Sequence, residues 1–389
     1  MEAIEEREKP KKSRKRKNRR LRRVGAVLFL VLLIVLAVFA LVNRDRMTIG
    51  HLNRAIHYSR LGSPGHAAEF RFANLGSNTF ASLGDGIAVA SAGGLRFYDR
   101  SASLAYTKPF EMRNPVIQTA GNYVLAYDLG GFSIQSGNRS EPLVHIQEWE
   151  GGRIIHASIN ENGWITVSSE QIGILGYVAV LDPQGNLRWH IQVGSGHVIG
   201  TVLANDNSTV AILTMTGQGS RVLWHTTDVT GTNIAAYDYL REDELFFDIW
   251  TTSNSGNIGI ISSNTVLYLT SRGVVESEYT FRDRYLRAYD VADGGAVLYL
   301  SASQIGSGGE LVILDPDGRE QVIEISGNLL DLSRSGRYVA ALFADELLVF
   351  RDSSSYADFR ETEGMTHVLM RDDGTVLRLS QHRARLLVP

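Results

Sequence analysis

Gln171-Ile172-Gly173-Ile174-Leu175-Gly176-Tyr177-Val178-Ala179-Val180-Leu181-Asp182-Pro183-Gln184-Gly185 returns without a gap, 133 residues later, as Gln304-Ile305-Gly306-Ser307-Gly308-Gly309-Glu310-Leu311-Val312-Ile313-Leu314-Asp315-Pro316-Asp317-Gly318. Eight of the fifteen positions are identical, and most of the rest exchange one strand-forming residue for another. Such a chain is built from copies of one unit, and periods of roughly 20–50 residues belong to solenoids, propellers or arrays.

Around the first copy the pattern predicts four strands: 154–160, a turn at Asn162-Gly163, 164–170, a loop at 171–176, 177–182, a turn at Pro183-Gln184-Gly185, and 186–193. The second copy repeats this order over 286–325. Turn signals recur along the chain at Asp85-Gly86, Gly121-Asn122, Asn162-Gly163, Asn205-Asp206-Asn207, Gly256-Asn257, Asp293-Gly294, Ser335-Gly336 and Asp373-Gly374. Their intervals of about 35–50 residues fit a four-stranded propeller blade. The expected fold is therefore all-β, an eight-bladed β-propeller over residues 67–389. A seven-bladed ring stays open, because 205–240 has the weakest repeat spacing. The last unit offers strands only at 366–370, 375–380 and 383–388. The alternating segment 68–73 is unclaimed and is expected to supply the missing strand, closing the ring and removing its open edges.

Val180-Leu181-Asp182-Pro183-Gln184-Gly185-Asn186-Leu187-Arg188-Trp189 resembles the third-strand, turn and fourth-strand signature of pyrroloquinoline-quinone-type propeller repeats. The turn here is one residue shorter, and the Trp occurs in one unit. No Trp-Asp dipeptide is present, so the WD40 signature itself is missing. The whole layout resembles uncharacterised single-pass, membrane-anchored β-propeller proteins of Gram-positive bacteria. That resemblance implies a basic cytoplasmic tail, one span and an exported propeller, and brings no catalytic motif with it.

The N-terminus gives the same topology from its residues. Residues 9–23 carry eleven Lys/Arg and no acid, and 24–42 is a run of nineteen uncharged residues. As a helix that run is about 29 Å long, against about 30 Å of bilayer hydrocarbon. The expected order is a cytoplasmic tail (1–23), a transmembrane helix (24–42), a juxtamembrane linker (43–66) and the propeller outside the cell membrane. The competing reading is a cleaved signal peptide, for which Val38-Phe39-Ala40 has suitable small residues; its charged region and apolar run would both be unusually long. The basic tail lies next to anionic headgroups, each nearby cation adding about 1 kcal/mol. The first 23 residues hold twelve of the 39 Lys/Arg and four of the 42 Asp/Glu, which leaves 27 basic and 38 acidic side chains, a net charge of −11, beyond them. An acidic exported part disfavours nucleic acid as a partner.

Signals for chemistry are weak. With no cysteine, thiolate metal sites, disulfides and cysteine nucleophiles are excluded. The ten histidines have no ligand spacing, and the Asp315 turn lacks the later acids of a calcium loop. No catalytic, cofactor-binding or metal-binding residue is assigned. The remaining candidate is a face. In a propeller the loops joining the second and third strands, and those joining one blade to the next, emerge on the same side. These include Glu148-Trp149-Glu150, Arg241-Glu242-Asp243-Glu244, Arg282-Asp283-Arg284, Arg360-Glu361-Thr362-Glu363 and the two Gln-Ile-Gly segments. The expected binding face is acidic, with Trp149 as an aromatic anchor and with Gln171 and Gln304 offering amides about 135° apart if each blade takes about 45°. The expected function is a non-enzymatic platform for a protein or cell-envelope polymer. The alternative is a glycan hydrolase or lyase, which calls for two carboxylates about 5–10 Å apart near the central channel.

Overall fold

Short runs of Val, Ile, Leu and Tyr between turn residues form thirty-two strands in eight antiparallel four-stranded sheets among the described residues. The computed structural model describes residues 65–389 except 73–77, 100, 110, 228–231, 253–255, 306, 361 and 363. The basic tail, the 24–42 run, the linker, Gly306, Glu361 and Glu363 lie outside the described residues. No helix among the described residues is long and apolar enough to cross a membrane.

Blades 1 to 7 take residues 79–109, 115–146, 153–193, 197–242, 246–280, 285–325 and 329–359 in order. Blade 8 combines His367–Met370, Val376–Leu379 and Arg383–Val388 with Gly65–Arg71. Eight is thus the blade count. The segment with the weakest spacing is blade 4, whose last two strands, Gly219–Thr227 and Asn233–Glu242, are the longest among the described residues.

The closing strand pairs Gly65 with Val388 and Arg71 with Arg383, skipping one residue between His66 and Ala68. It begins three residues before the expected 68–73, because all six residues of Arg383–Val388 find partners. All eight expected turn signals fall between the first and second strands of a blade, and each turn holds a residue with positive φ, from Gly84 (57°) to Gly374 (80°).

Strand sequence follows radial position. Middle strands such as Gly295–Ser301 and Tyr338–Phe343 are buried throughout and read as unbroken apolar runs, as strands covered on both faces do. Outermost strands such as Glu320–Ile325 alternate exposed and half-buried residues. Apolar packing lies in wedges between neighbouring blades. The wedge between blades 4 and 5 holds Leu213, Val222, Trp224, Ile249 and Ile260, each such side chain contributing roughly 1.5–3 kcal/mol by burial. The Trp224 indole N–H closes this wedge on the Gly256 carbonyl at 3.2 Å, and Trp250 does the same one blade on, to Gly294 at 3.0 Å.

Candidate functional site

The first strands of neighbouring blades lie against one another and form the inner wall of the ring. An innermost strand has a bare edge, and enclosed N–H groups there need acceptors. The adjacent blade provides them. His156 Nδ1 accepts from the Thr201 N–H (3.3 Å), Asp290 from Arg334 (2.7 Å), Asp331 from Val368 (2.8 Å) and Ser333 from Met370 (3.0 Å). Burial holds His156 low, at about 4, so the ring is neutral at pH 7 and Nδ1 is free to accept. Burial pushes Asp290 up to about 6 against the hydrogen bonds from Arg334 and Val291. Asp248 is also raised by burial, although it accepts from Ile249 and from the Tyr289 hydroxyl at 3.0 Å.

Asp248, Asp290 and Asp331 therefore stand on the inner strands of blades 5, 6 and 7, the position the hydrolase alternative requires. Their oxygens are engaged by the main chain, by Tyr289 and, for Asp331, by His367 at 3.4 Å. Their work in this arrangement is to fasten blade to blade.

A second inner-wall feature aims side chains outward. In blades 3 to 7 the first strand skips one residue near its start: Ile155, Ile199, Phe247, Arg287 and Leu330. Blades 1, 2 and 8 pair there without a skip. A β-bulge leaves its extra residue unpaired and redirects it. These five sit beside the loops that join blade to blade, on the face singled out from the sequence.

That face is apolar and mixed in charge rather than acidic. Arg153, Arg241, Arg282, Arg284 and Arg287 stand among its acids, and several acids are paired: Glu244 with Arg241 (3.1 Å), Glu278 with Arg241 (2.7 Å) and Glu310 with Arg284. Glu148, Glu150, Glu242 and Asp243 are exposed, while Glu244 also accepts from the Ser262 hydroxyl. Trp149 is half-buried between its two glutamates. Its indole N–H donates to Ser169 Oγ at 3.1 Å and its ring packs on the wedge between blades 2 and 3, so it fastens the loop.

The duplicated segments both reach this face, in blades 3 and 6. Gln171 ends the strand Ile165–Gln171, half-buried and paired with Ile174, so the expected 171–176 loop is a tight turn at Ile172-Gly173. Positive φ at Gly173 (85°) permits that turn. Gln304 is exposed in a longer connection, 302–308. Between each Gln and Gly stands an isoleucine. Ile172 (106%) and Ile305 (92%) are the two most exposed large hydrophobic residues described. The signal for them was inside the repeat itself: a β-branched apolar residue at a loop tip, twice.

Two clefts open here. One, of about 770 Å³, lies on blades 3 and 4 and is lined by Leu175, His197, Met215, Leu240 and Leu245, with the Arg221–Asp238 pair (2.6 Å) at its polar end. The other, of about 830 Å³, lies on blades 5 and 6 and includes Phe247, Arg282, Tyr285, Arg287 and Gln304.

The fold is an eight-bladed β-propeller, and one face of it carries Ile172, Ile305 and both clefts. The chain belongs to a family of unknown function, DUF5711, which matches residues 67–324. A search of curated proteins by sequence finds no match. Among solved structures the chain is similar to the C-terminal WD40 domain of Sif2, at 11% identity and a TM-score of 0.59, covering 84% of this chain and 98% of that one. It is similar also to Sqt1 of Saccharomyces cerevisiae, at 10% identity and a TM-score of 0.58, covering 84% and 100%. The propeller architecture is thus shared with WD40 proteins although the Trp-Asp dipeptide is missing; at such identities the likeness concerns the fold alone.

Proposed function

We propose that the chain is a non-enzymatic binding platform, anchored by residues 24–42 at the outer side of the cytoplasmic membrane, with residues 1–23 inside. It receives a protein or cell-envelope polymer on the face that carries the blade-joining loops. The observation that carries this reading is the pair Ile172 and Ile305. A fully exposed isoleucine gains nothing for the fold, yet it stands at the same place in both copies of the repeat. On the same face, the cleft of blades 3 and 4 adds Leu175, from the hairpin that carries Ile172, with Met215, Leu240 and Leu245, and contiguous apolar surface marks interaction sites. A partner with apolar side chains suits this part of the face.

A photo-crosslinking residue placed at 172 or 305 in the native host is expected to give the same discrete adduct, with none from Val274 on the opposite face. Equal adducts from all three positions would remove the platform reading. For the topology, the mass of the membrane-extracted chain is expected to include residues 9–23; a mature N-terminus at Leu41 would overturn the anchor.

A further inference from the structure

We infer that the cleft between blades 5 and 6 binds an acidic saccharide, with Arg282 and Arg287 pairing its carboxylates and Phe247 and Tyr285 covering its rings. This deepens the platform reading and rests on it for where such a polymer is met. Phe247 and Arg287 occupy the same bulge position in adjacent blades. In blades 3, 4 and 7 that position holds Ile155, Ile199 and Leu330, so only here does it set an aromatic ring beside a guanidinium. Phe247 (45%) and Tyr285 (43%) keep much of their surface exposed, and the Phe247 ring centroid lies 5.8 Å from that of Tyr289.

The cations in the cleft differ in availability. Arg284 is committed to the Phe281 carbonyl (2.7 Å), the Tyr279 hydroxyl (2.8 Å) and Glu310. Arg287 reaches only the Ser303 carbonyl, at 3.4 Å, and neither Arg287 nor Arg282 forms an ion pair among the described residues. A guanidinium fork matches a carboxylate bidentately. Gln304 beside them brings both an amide donor and an acceptor for hydroxyl groups. Asp283 also lines the cleft and opposes an anion. Arg282 (φ 49°) and Asp283 (φ 60°) are the one consecutive pair of non-glycine residues with positive φ among those described. The loop thus keeps these side chains in a conformation that glycine would adopt more easily. The cavity, about 830 Å³, lies within the range of roughly 300–1,000 Å³ typical of ligand sites.

The test is calorimetric titration of the purified full chain, in detergent micelles, with hexagalacturonate, with a neutral glucose hexamer and with a ringless glycerol phosphate oligomer. Hexagalacturonate is expected to bind, more weakly as salt rises. Affinity is expected to fall tenfold or more in Arg282→Ala/Arg287→Ala, to fall in Phe247→Ala, and to rise about threefold in Asp283→Asn. Phe247→Ala alters one exposed ring and guards against a double variant that fails to fold. Ile172→Glu, at the loop tip of blade 3, is expected to leave this binding intact, which separates failure of the protein-docking surface from failure of the saccharide cleft. No binding of hexagalacturonate, an unchanged affinity in the folded arginine or Phe247 variants, or equal binding by the ringless oligomer would overturn the assignment.

Discussion

Blades 3 and 6 carry nearly the same text and use it differently. Both Asp-Pro-x-Gly turns have the same backbone: Gly185 and Gly318 each lie at φ 82°, and each donates its N–H to the Asp carbonyl, at 2.9 and 3.0 Å. The side chains part company. Asp182 stays inside its own turn, accepting from the N–H groups of Gln184 (3.0 Å) and Asn186 (2.9 Å) and from the Asn186 amide. Asp315 instead accepts from Arg334 Nη2 of blade 7, at 2.7 Å. The following blade explains the difference. Four residues past the bulge, blade 7 has Arg334 where blade 4 has Leu203, which packs in the apolar wedge beside Val178 and Val180. Local sequence sets the turn; the neighbouring blade decides what its carboxylate does.

The largest effect expected from this difference is at Arg334. Its guanidinium donates to the carbonyls of Ala296 (2.9 Å) and Leu314 (2.8 Å) as well as to Asp315. Arg334→Ala removes a buried cation from these three acceptors, of which the Leu314 carbonyl keeps the Tyr268 hydroxyl at 3.4 Å, and is expected to cost about 3–5 kcal/mol. Asp182→Ala removes the turn's own hydrogen bonds and a longer, half-exposed pairing with Arg188 at 3.8 Å, and is expected to cost about 1–2 kcal/mol. Chemical denaturation of both variants at pH 7 measures the gap, and equal costs would end the comparison.

The inner strands of the same two blades are expected to respond to pH in opposite directions. Asp290 of blade 6 is raised from 3.8 to about 6, so its protonated form is favoured in the folded chain. Its contribution to stability is complete below about pH 4 and is lost as pH rises through 6. His156 of blade 3 is lowered from 6.5 to about 4, so its contribution is complete above 6.5 and is lost as pH falls towards 4. Relative to the parent chain, Asp290→Asn is expected to gain roughly 2–3 kcal/mol between pH 4 and 7, while His156→Gln loses a similar amount over the same interval. Denaturation series at pH 4, 5, 6 and 7 decide this, and curves parallel to the parent's would remove both assignments.

A smaller contrast lies in the glycines that the repeats share. A Cβ on Gly309 would stand 2.3 Å from the Leu300 carbonyl oxygen, and one on Gly176 would stand 2.4 Å from a Val198 methyl group. Main chain inside a sheet yields less than a side chain. Gly309→Ala is therefore expected to cost about 2–3 kcal/mol and Gly176→Ala about 1–2 kcal/mol. The reverse order in melting temperature would show that the blade 3–4 contact is the stiffer one.

What could be read from the sequence is what depends on adjacent residues. Gly, Asn and Asp at each first turn supply the positive φ that a tight connection needs, and they alone mark the eight blades. The missing strand of blade 8 was legible by subtraction. What depends on the next blade was hidden. Asp290 meets the Arg334 N–H across 44 residues of chain, and no spacing rule connects them. The bulges have no marker residue, since Ile, Phe, Arg and Leu all occupy them. A tryptophan between Glu148 and Glu150 reads as an exposed anchor, yet its partner Ser169 lies in the following blade.

The smallest effect on stability is expected where the two blades agree most visibly. Ile172 and Ile305 are exposed at loop tips, so Ile172→Ser and Ile305→Ser are expected to change unfolding free energy by less than about 0.5 kcal/mol each. The same holds for Gln171→Ala with Gln304→Ala, whose effect would fall on partner binding. The two settings still differ: Ile172 rides a two-residue turn, and Ile305 rides the longer 302–308 connection. Strand pairing on both sides fixes the short turn, whereas the Ile305 main chain is tied to the Ser303 hydroxyl, at 2.9 and 3.2 Å, and any side chain immobilised on contact costs about 0.5–1.5 kcal/mol. If one partner spans both tips, either single serine variant should weaken the crosslinked complex, and Ile172→Ser should weaken it more. Equal losses would mean that the longer loop is already fixed. Loss from Ile305→Ser alone would confine the docking surface to blade 6 and leave the repeat in blade 3 as architecture.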